Sequence, residues 1–411
     1  MLSVVAVMRN TEIPRAAQHG WFSVQHVTSS NAPTYLVEAV RSPVGRRNGG
    51  LAHLHPTDLA ATVIRALVDR SGIDPADVDD VMLGNVDSVG PQAGCIARTA
   101  WLVAGYPEHV PGVTIDRRCG SSQQAVHFAA QAVASGNADL VVAGGIQSMS
   151  QVPMMSAFEF GGDPDYDPFT TSPGWVDRYG SERFDQFSGA ELIAERWGIE
   201  REDMESFALE SHRRAIAARD EGRFDAEIVP IDDCRVDECP REPDPERLRA
   251  LPVLREGGRL TAALSCGIAD AAAMVLVASE SAVERYGLRP LARFHHMSVS
   301  GGDPIEMLSA PIPATQRALE RTGLTPDDID LVENNEAFAS VVLAWQRATG
   351  FDLDRVNVNG GAIALGHPLG ATGARLMTTL VHEMQRTGAR YGLQTMCERG
   401  GMANVTILER V

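Results

Sequence analysis

The chain alternates between short strand-like apolar runs and stretches with one apolar helical face, a pattern typical of α/β proteins. After a strand-like run at 113–115, apolar residues recur at the i, i+3, i+4, i+7 and i+8 positions of an amphipathic helix: Ala125, Phe128, Ala129, Ala132 and Val133. Gly136 is a stop signal for this helix, and a second apolar run at 138–143 ends in Gly144 and Gly145. The pattern predicts a strand–turn–helix–strand unit.

One short segment occurs twice. Residues 71–81 read Ser-Gly-Ile-Asp-Pro-Ala-Asp-Val-Asp-Asp-Val, and residues 322–332 read Thr-Gly-Leu-Thr-Pro-Asp-Asp-Ile-Asp-Leu-Val, at an offset of 251 residues. Each copy follows a helix-like stretch and leads into a short apolar strand. We therefore predict two copies of one supersecondary unit in the same chain.

The offset continues further along the chain. A strand-like run at 356–358 leads into a glycine-rich turn around His367, which aligns with the turn around Cys119. A helix pattern follows, with its apolar residues on one face: Ala374, Met377, Val381 and Met384. Gly388 ends that helix, and a strand-like run then ends at Cys397. The reactive residues of both halves are thus expected at the carboxyl ends of strands, where α/β folds bind their ligands.

Composition narrows the possible functions. The chain has 411 residues, 44% of them hydrophobic, and a formal net charge of −18, so nucleic acid and anionic membranes are not expected partners. It has no lysine, so a bound phosphate would have to be met by arginine, histidine or backbone amides. No apolar run is long enough to span a membrane. Six cysteines are too few for a disulfide framework, which favours a reduced, cytoplasmic protein without a metal site at Cys234 and Cys239.

Cys119 is the strongest candidate for chemistry. It opens a predicted helix, after Arg118 and before Gly120. A helix N-terminus stabilises negative charge, so we expect a lowered thiol pKa and a reactive thiolate. Gly120 would let a substrate approach the backbone. The alternative is a buried structural cysteine, the usual fate of a free thiol.

Three further residues lie at predicted strand ends. His367, between Gly366 and Pro368, is suited to act as a base for a neighbouring thiol, or is simply a surface-loop histidine. Cys397 precedes Gly400 and Gly401 and could equally be structural. Asn335 follows the repeat strand, where asparagine is also a good helix N-cap.

Taken together, these residues resemble the thiolase family. Four segments match its signatures in order and spacing: Arg118-Cys119-Gly120-Ser121-Ser122, Asn335-Glu336-Ala337-Phe338-Ala339, the run from Gly360 to Ala371, and Cys397. The resemblance extends over about residues 34–411. It implies a thiolase-like, duplicated αβαβα layered fold of the α/β class with an inserted loop subdomain.

The resemblance also implies how the chain is divided. The expected parts are an extension at 1–32, an N-terminal half at 33–149 completed by about 260–288, a loop subdomain over the CoA site at 150–259, and a C-terminal half at 289–411. Within the subdomain one helix is predicted from Glu202 to Ala218, with four residues facing inward: Met204, Phe207, Ala208 and Ser211.

Each signature residue has an implied role. Cys119 is similar to the nucleophile that becomes acylated, and His367 to the base that activates it. Cys397 resembles the acid that protonates the departing acetyl-CoA carbanion. Asn335 resembles the residue that holds a water which, with His367, stabilises an enolate oxygen. The amide of Cys119 would join a second oxyanion site.

The chain departs from the family pattern at two places. The usual Cys-x-Gly-Gly-Gly motif appears here with Arg399 before Gly400, so a side chain stands where the partner amide of the oxyanion site normally belongs to glycine. Cys266 follows Ser265 in place of the serine that touches the pantetheine arm, and is a weaker hydrogen-bonding group. The resemblance assigns CoA or acyl contacts to these residues: Arg223, Ser265, Cys266, Met307 and Phe338.

The expected activity is cleavage of a 3-ketoacyl-CoA by CoA to acetyl-CoA or propionyl-CoA and a shortened acyl-CoA. Alternatives are acetoacetyl-CoA synthesis by the same residues, or an acyl-CoA-binding protein with impaired catalysis. The insert around residues 184–197 resembles thiolases that act on bulky or steroid-derived acyl groups. Coenzyme A is expected as co-substrate, without a permanent cofactor or metal, and the family resemblance suggests a homodimer or homotetramer.

Overall fold

A computed structural model describes residues 32–158, 167–182 and 184–411. The predicted extension lies outside the described residues except for Ala32, as do residues 159–166 and 183. The strands are β1 (Thr34–Arg41), β2 (Gly45–Arg46), β3 (Asp80–Gly84), β4 (Gly112–Ile115), β5 (Leu140–Ser148), β6 (Ala269–Ser279), β7 (Ala292–Gly301), β8 (Leu331–Asn334), β9 (Tyr391–Glu398) and β10 (Met402–Arg410).

The helices alternate with these strands in both halves. They are α1 (Pro56–Ser71), α2 (Ile96–Val103), α3 (Ser121–Ala134), α4 (Pro173–Tyr179), α5 (Gln186–Arg196), α6 (Arg201–Asp220), α7 (Pro245–Arg249), α8 (Glu280–Tyr286), α9 (Pro311–Thr322), α10 (Ala339–Thr349), α11 (Ala362–Leu365) and α12 (Leu369–Thr387).

The strands form two half-sheets that are joined edge to edge. Their order is β4-β3-β5-β6-β1 in the first half and β7-β10-β9-β8 in the second, and β1 pairs with β7 through Tyr35 and Leu36. In each half the outer pairs are parallel and the inner pairs antiparallel. The parallel pairs bring several strand ends to one edge of each half-sheet, which is where the site lies.

The two copies of the predicted repeat share individual hydrogen bonds as well as their elements. In the first half the Asp79 carboxylate accepts bonds from the amides of Asp139 and Leu140 at 2.7 and 3.0 Å. In the second half Asp330 accepts from Arg390 and Tyr391 at 2.7 and 3.0 Å. The helix before each segment ends at a left-handed glycine, with φ 69° at Gly72 and φ 71° at Gly323.

Helices α3 and α12 form the central layer. They pack against each other, and between them they contact strands of both half-sheets. One apolar cluster joins Val126 of α3, Met377 of α12, Val277 of β6 and Leu408 of β10. Helices α1 and α2 cover the outer face of the first half-sheet, and α9 and α10 that of the second. This is the αβαβα layering that the family resemblance implied.

Two details of the sequence analysis were wrong. Phe128 was predicted to face inward but is 42% exposed, because α3 buries two other faces at the centre of the molecule and Phe128 points away from both. The strand at 356–358 is reduced to a single bridge between Val356 and Val332. Asn357 has a left-handed φ of 50°, and its side chain bonds the backbone of Asn334 in place of a strand neighbour.

A buried ion-pair network ties the segment between the halves to the core. Arg41 of β1 is fully buried and bonds Glu227 at 2.6 Å and Asp237 at 2.7 Å. Asp237 also accepts the amide of Val44. Removing one partner of such a network would leave an uncompensated buried charge. The network therefore fixes residues 227–237 against β1. The helix predicted at 202–218 is present as α6, with Phe207 only half-buried.

Candidate active site

Cys119 lies in a tight turn between β4 and α3. Arg118 before it has a left-handed φ of 49°, which is uncommon for a side chain of that size. Gly120 after it is required by space, because a Cβ there would lie 1.9 Å from a carboxylate oxygen of Glu398. The turn leaves Cys119 only 7% exposed and directs it to a cavity.

The thiol of Cys119 is not pre-ionised, contrary to the expectation from its place at a helix start. Burial and, to a smaller extent, the nearby Glu398 carboxyl together raise its pKa to about 12. The backbone amides of Arg399 and of Cys119 itself act in the opposite direction and do not outweigh burial. The helix begins at Ser121, so the sulfur lies outside its first turn. The Cys119 thiol is therefore neutral at rest, and a base would have to take its proton before the sulfur could act as a nucleophile.

His367 is an imidazole of defined orientation, suited to act as a base. It follows Gly366, whose φ of 88° and close contact with Ala269 admit only glycine. Its Nδ1 lies 2.7 Å from the Thr372 hydroxyl, which itself donates to the Pro368 carbonyl at 2.9 Å. Since that hydroxyl has a single hydrogen, Nδ1 must be the ring nitrogen that carries a proton. The Nε2 lone pair is then free to accept a proton.

Burial keeps this imidazole neutral. His367 is 3% exposed, and burial, together with the charge of Arg375, lowers its pKa to about 3. It is not the surface-loop histidine of the alternative interpretation. A neutral thiol and a neutral imidazole can exchange a proton only while charge develops on a bound substrate.

Asn335 lies at the end of β8 and contacts the base. Its Nδ2 is 3.4 Å from Nε2 of His367, and its amide donates to the Thr395 carbonyl at 3.1 Å. The N-cap of α10 is Phe338, so Asn335 has no capping role. Its buried Oδ1 has no hydrogen-bond partner within the described ranges.

Cys397 and Cys266 complete a group of three thiols around the site. Cys397 is fully buried at the end of β9, and its pKa is raised by burial and by the proximity of Cys119 and Cys266. The pKa of Cys266 is raised to about 12 by burial and by Cys119. The Cys266 amide donates to the Ala337 carbonyl, and Ser265 pairs with Phe338, so both segments meet beside the base.

A cavity of about 190 Å³ opens next to Cys119 and is mainly apolar. We call it the large cavity; its lining residues are Val86, Asp87, Arg118, Cys119, Met154, Met155, Asp185, Gln186, Phe187, Leu369 and Arg399. Met307 lines a neighbouring small cavity instead. Arg223 bonds Glu221 and Asn359 and lines neither, so its predicted contact with CoA gains no support.

The sequence analysis missed several residues of the site. Thr372 orients the base, and Phe187 and Met155 line the large cavity, yet none stands out by residue type or spacing. Arg241, Arg247 and Arg249 line a wide surface cleft, and the absence of lysine could have directed attention to them. Within the described ranges, no three metal-ligating side chains come together and no helix is long and apolar enough to cross a bilayer.

Known proteins match this chain along most of its length. A model of the thiolase N-terminal domain matches residues 34–281, and one of the thiolase C-terminal domain matches 288–410. A steroid 3-ketoacyl-CoA thiolase of Mycobacterium tuberculosis is 57% identical over 382 residues, covering 92% of this chain and 94% of that protein. An acetyl-CoA acetyltransferase of Escherichia coli is 41% identical, covering 92% and 98%. The crystal structure of the Bacillus anthracis acetyl-CoA acetyltransferase superposes with a TM-score of 0.84 at 36% identity, covering 93% and 100%.

Proposed function

The chain belongs to the thiolase family and is an acyltransferase, and from this premise we propose that it cleaves a compact, ring-derived 3-ketoacyl-CoA through an acyl-Cys119 intermediate. The observation that carries the proposal is the convergence of four groups from both halves. Cys119 comes from the turn before α3, His367 from the turn before α12, and Asn335 and Cys397 from the ends of β8 and β9.

The reaction runs in two stages. As the Cys119 sulfur attacks the ketone carbon, its proton passes to Nε2 of His367. The amides of Cys119 and Arg399 lie within hydrogen-bond range of the sulfur and suit the developing oxyanion, with Gly400 beside them. The bond between the α-carbon and the ketone carbon then breaks. The Cys397 thiol protonates the released enolate, whose oxygen is stabilised by Nε2–H of His367 and a water on Asn335.

The second stage regenerates the enzyme. The thiol of an incoming CoA loses its proton to the Cys397 thiolate, and its sulfur attacks the acyl-Cys119 carbonyl. The Cys119 sulfur leaves and takes back the proton held by His367. The shortened acyl-CoA departs, and all four groups return to their starting protonation states. Neither stage needs a bound cofactor, which agrees with CoA acting as co-substrate only.

The cleft that would receive the phosphates of CoA is lined by Arg241, Arg247 and Arg249. Glu242, Asp244 and Glu246 line it too, so the guanidinium groups would have to bind phosphate directly against this negative charge. The chain segment that leads to this cleft passes the catalytic turn, because the sulfur of Cys239 lies 3.2 Å from the position of a Cβ on Gly366. A pantetheine arm would then run past Ser265, Cys266 and Phe338 to reach Cys119. Arginine is the only basic side chain of full charge that this protein has for phosphate.

The character of the acyl group follows from the large cavity. Its apolar wall of methionine, leucine and phenylalanine suits a hydrocarbon group, and a steroid 3-ketoacyl-CoA thiolase is among the similar proteins. Acetoacetyl-CoA synthesis uses the same residues in reverse and is favoured only by the similarity to acetyl-CoA acetyltransferases. Because the nucleophile, base and acid are all present, loss of catalysis is not favoured by any observation.

We also propose that the protein forms a homo-oligomer and resides in the cytoplasm. Exposed apolar residues lie on three neighbouring elements: Leu102 and Val103 on α2, Val113 on the edge strand β4, and Phe128 on α3. An edge strand with apolar side chains is a good pairing surface for a second copy. All six cysteines are free thiols, which suits a reducing compartment.

The test is a thiolysis panel. Purified protein is given CoA and 3-ketoacyl-CoAs with short, long and ring-derived acyl groups, and the loss of 3-ketoacyl-CoA absorbance is followed. We expect turnover with a preference for ring-derived groups, and acylation of Cys119 visible by mass spectrometry when CoA is withheld. Absence of turnover with every substrate would refute the proposed activity, and labelling at another cysteine would refute the assigned nucleophile.

A further inference from the structure

Arg399 stands between two cavities. The large cavity beside Cys119 has a volume of about 190 Å³, and the small cavity, lined by Phe169, Trp175, Phe184 and Met307 among others, has about 30 Å³. Among the described residues, Arg399 is the one side chain that lines both. The small cavity alone holds about one water molecule, since a water occupies about 30 Å³ in the liquid.

The guanidinium of Arg399 is held in place by several individually weak contacts. It lies over the ring of Phe158 at 5.0 Å and that of Phe169 at 5.8 Å, and it bonds the sulfur of Met155. Asp167 and Asp185 attract it electrostatically. Each cation–π contact is favourable, and more so where the pair is shielded from water. Moving this side chain into water would lose these contacts together, so it acts as a fixed wall.

The Arg399 side chain is charged as well as fixed in place. The pKa of Arg399 is lowered by burial and by the neighbouring charge of Arg118, yet an arginine remains charged at any physiological pH. An alkyl chain extended against this end of the large cavity would therefore meet a charged group with aromatic rings behind it. Hydrocarbon gains nothing by stripping the remaining water from such a group.

We propose that the Arg399 side chain is the specificity-determining stop of the acyl pocket, which admits compact, branched or ring-derived acyl groups and excludes long straight chains. This inference rests on the proposed thiolase activity and names its substrate class. The usual motif of the family has glycine at this position, so the proposed stop belongs to the side chain and not to the fold. The backbone amide of Arg399 stays available for the oxyanion in any substitution except proline.

The size of the effect follows from the hydrophobic contribution of a methylene group. Burying one methylene is worth about 0.8 kcal/mol, which corresponds to roughly fourfold in kcat/KM. Arg399→Ala removes the wall and joins the two cavities, so two further methylenes should find space. We expect the ratio of kcat/KM for long to short straight-chain 3-ketoacyl-CoAs to rise at least about tenfold over the wild-type ratio.

Two variants separate bulk from charge and from general disturbance. Arg399→Met keeps the length of the side chain but loses its charge and its cation–π contacts, so its chain-length ratio should rise less than that of Arg399→Ala. Cys95→Ala, at an exposed position on the start of α2, lines neither cavity and should leave the ratio unchanged. Comparing ratios within each variant cancels any loss of absolute rate. Thermal unfolding of each variant shows whether it is folded.

The proposal is overturned if Arg399→Ala has the wild-type chain-length ratio, or if Arg399→Met shifts it as far as Arg399→Ala does. The same ratios are obtained without turnover from dissociation constants of straight-chain S-alkyl-CoA thioethers, which have no carbonyl for Cys119 to attack, measured by calorimetry over the same chain lengths. Failure of the stop is then distinguishable from failure of the thiolase activity, because the binding ratios report on Arg399 even in a protein that does not turn over.

Discussion

The two halves of the molecule share one frame and differ in the turns that this frame presents. Asp79 and Asp330 bridge equivalent amides at the same distances, and the equivalent strands β5 and β9 pair with β3 and β8 in the same register. At the strand ends the halves diverge. The first builds a turn with a left-handed residue that directs a buried thiol to a cavity, and the second a glycine-rich turn that orients an imidazole. Duplication thus preserved the geometry, while the chemistry was divided between the copies.

Each half also reaches across to support the other half's turn. Gln147, at the end of β5, accepts a hydrogen bond from the amide of Gly370 beside the base. Glu398 occupies the equivalent position at the end of β9 and packs on Gly120 beside the nucleophile. Gln147 is fully hydrogen-bonded, whereas both carboxylate oxygens of Glu398 have no partner within the described ranges. The amide supports a turn, and the carboxyl adds an electrostatic influence on the thiol.

Because the two halves contribute different catalytic groups, the largest expected loss of activity is at the proposed nucleophile. Cys119→Ala removes the group that forms the acyl intermediate, so kcat/KM for thiolysis should fall about 10,000-fold or more. His367→Ala should approach the same loss, because residues of one catalytic unit are not additive. Cys95→Ala, at an exposed position on the start of α2, is the matched control and should keep wild-type activity. Residual rates above one per cent in Cys119→Ala would end the assignment.

The meeting point of the halves should be the most sensitive structural position. A Cβ on Gly373 of α12 would lie 2.4 Å from the amide nitrogen of Gln123 on α3. Gly373→Ala must therefore push the two central helices apart, at a cost of about 3 kcal/mol or more in the free energy of unfolding. Gly388→Ala is the control: its φ is 77° and no atom lies within 4 Å of the new Cβ, so the cost should be about 1 kcal/mol. Equal losses in urea denaturation would contradict this account.

The shared frame predicts equal effects at equivalent sites. Asp79→Ala and Asp330→Ala each remove two charge-assisted hydrogen bonds at an exposed position, and each should cost about 1 kcal/mol. The two losses in the free energy of unfolding, measured by urea denaturation, should agree within about 0.5 kcal/mol. A difference of more than twofold would mean that the two halves, despite equal geometry, do not contribute equally to stability.

The last expected effect is a change in the pH dependence of stability at Glu398. Burial raises the pKa of this carboxyl to about 8, so between pH 4.5 and 8 the folded protein holds a proton that the unfolded chain has released. Its contribution to stability therefore falls as pH rises through that range. Glu398→Gln gives the second half the residue type of Gln147 and should remove that decline. Unfolding free energies at pH 5, 6, 7 and 8 measure it; identical slopes in both proteins would show that Glu398 does not titrate there.

The sequence was sufficient to predict those features that follow from the periodicity of apolar residues and from the order of motifs along the chain. The amphipathic stripes predicted α3, α6 and α12, the offset of 251 residues predicted the duplicated frame, and the motif spacing predicted which residues meet at the site. The boundaries of the proposed subdomain and the contacts of Ser265, Met307 and Phe338 with CoA stay predictions. Each of these predictions depends on a pattern within one chain segment or on the repetition of one segment in another.

The wrong predictions concern residues whose surroundings are formed by distant parts of the chain. The pKa of Cys119 was expected to fall because it precedes a helix, but burial and Glu398 raise it. Phe128 belongs to an apolar stripe, yet α3 is enclosed on other faces. The run at 356–358 has strand-like residues, but it does not form a strand. The side chain of Asn357 instead makes the hydrogen bonds to the backbone of Asn334 that a neighbouring strand would make. No local pattern encodes such long-range surroundings.

The pairing of β1 with β6 has a consequence for how this chain is made. Residues 34–41 find their partner at 273–279, so the first half-sheet cannot close until most of the second third of the protein has left the ribosome. At about 5–20 residues per second, β1 waits on the order of 10 to 50 seconds with an unpaired apolar edge. Such long-range pairing folds slowly and exposes aggregation-prone surface. Newly made chains should therefore depend on chaperones, and fragments that end before residue 280 should fail to fold.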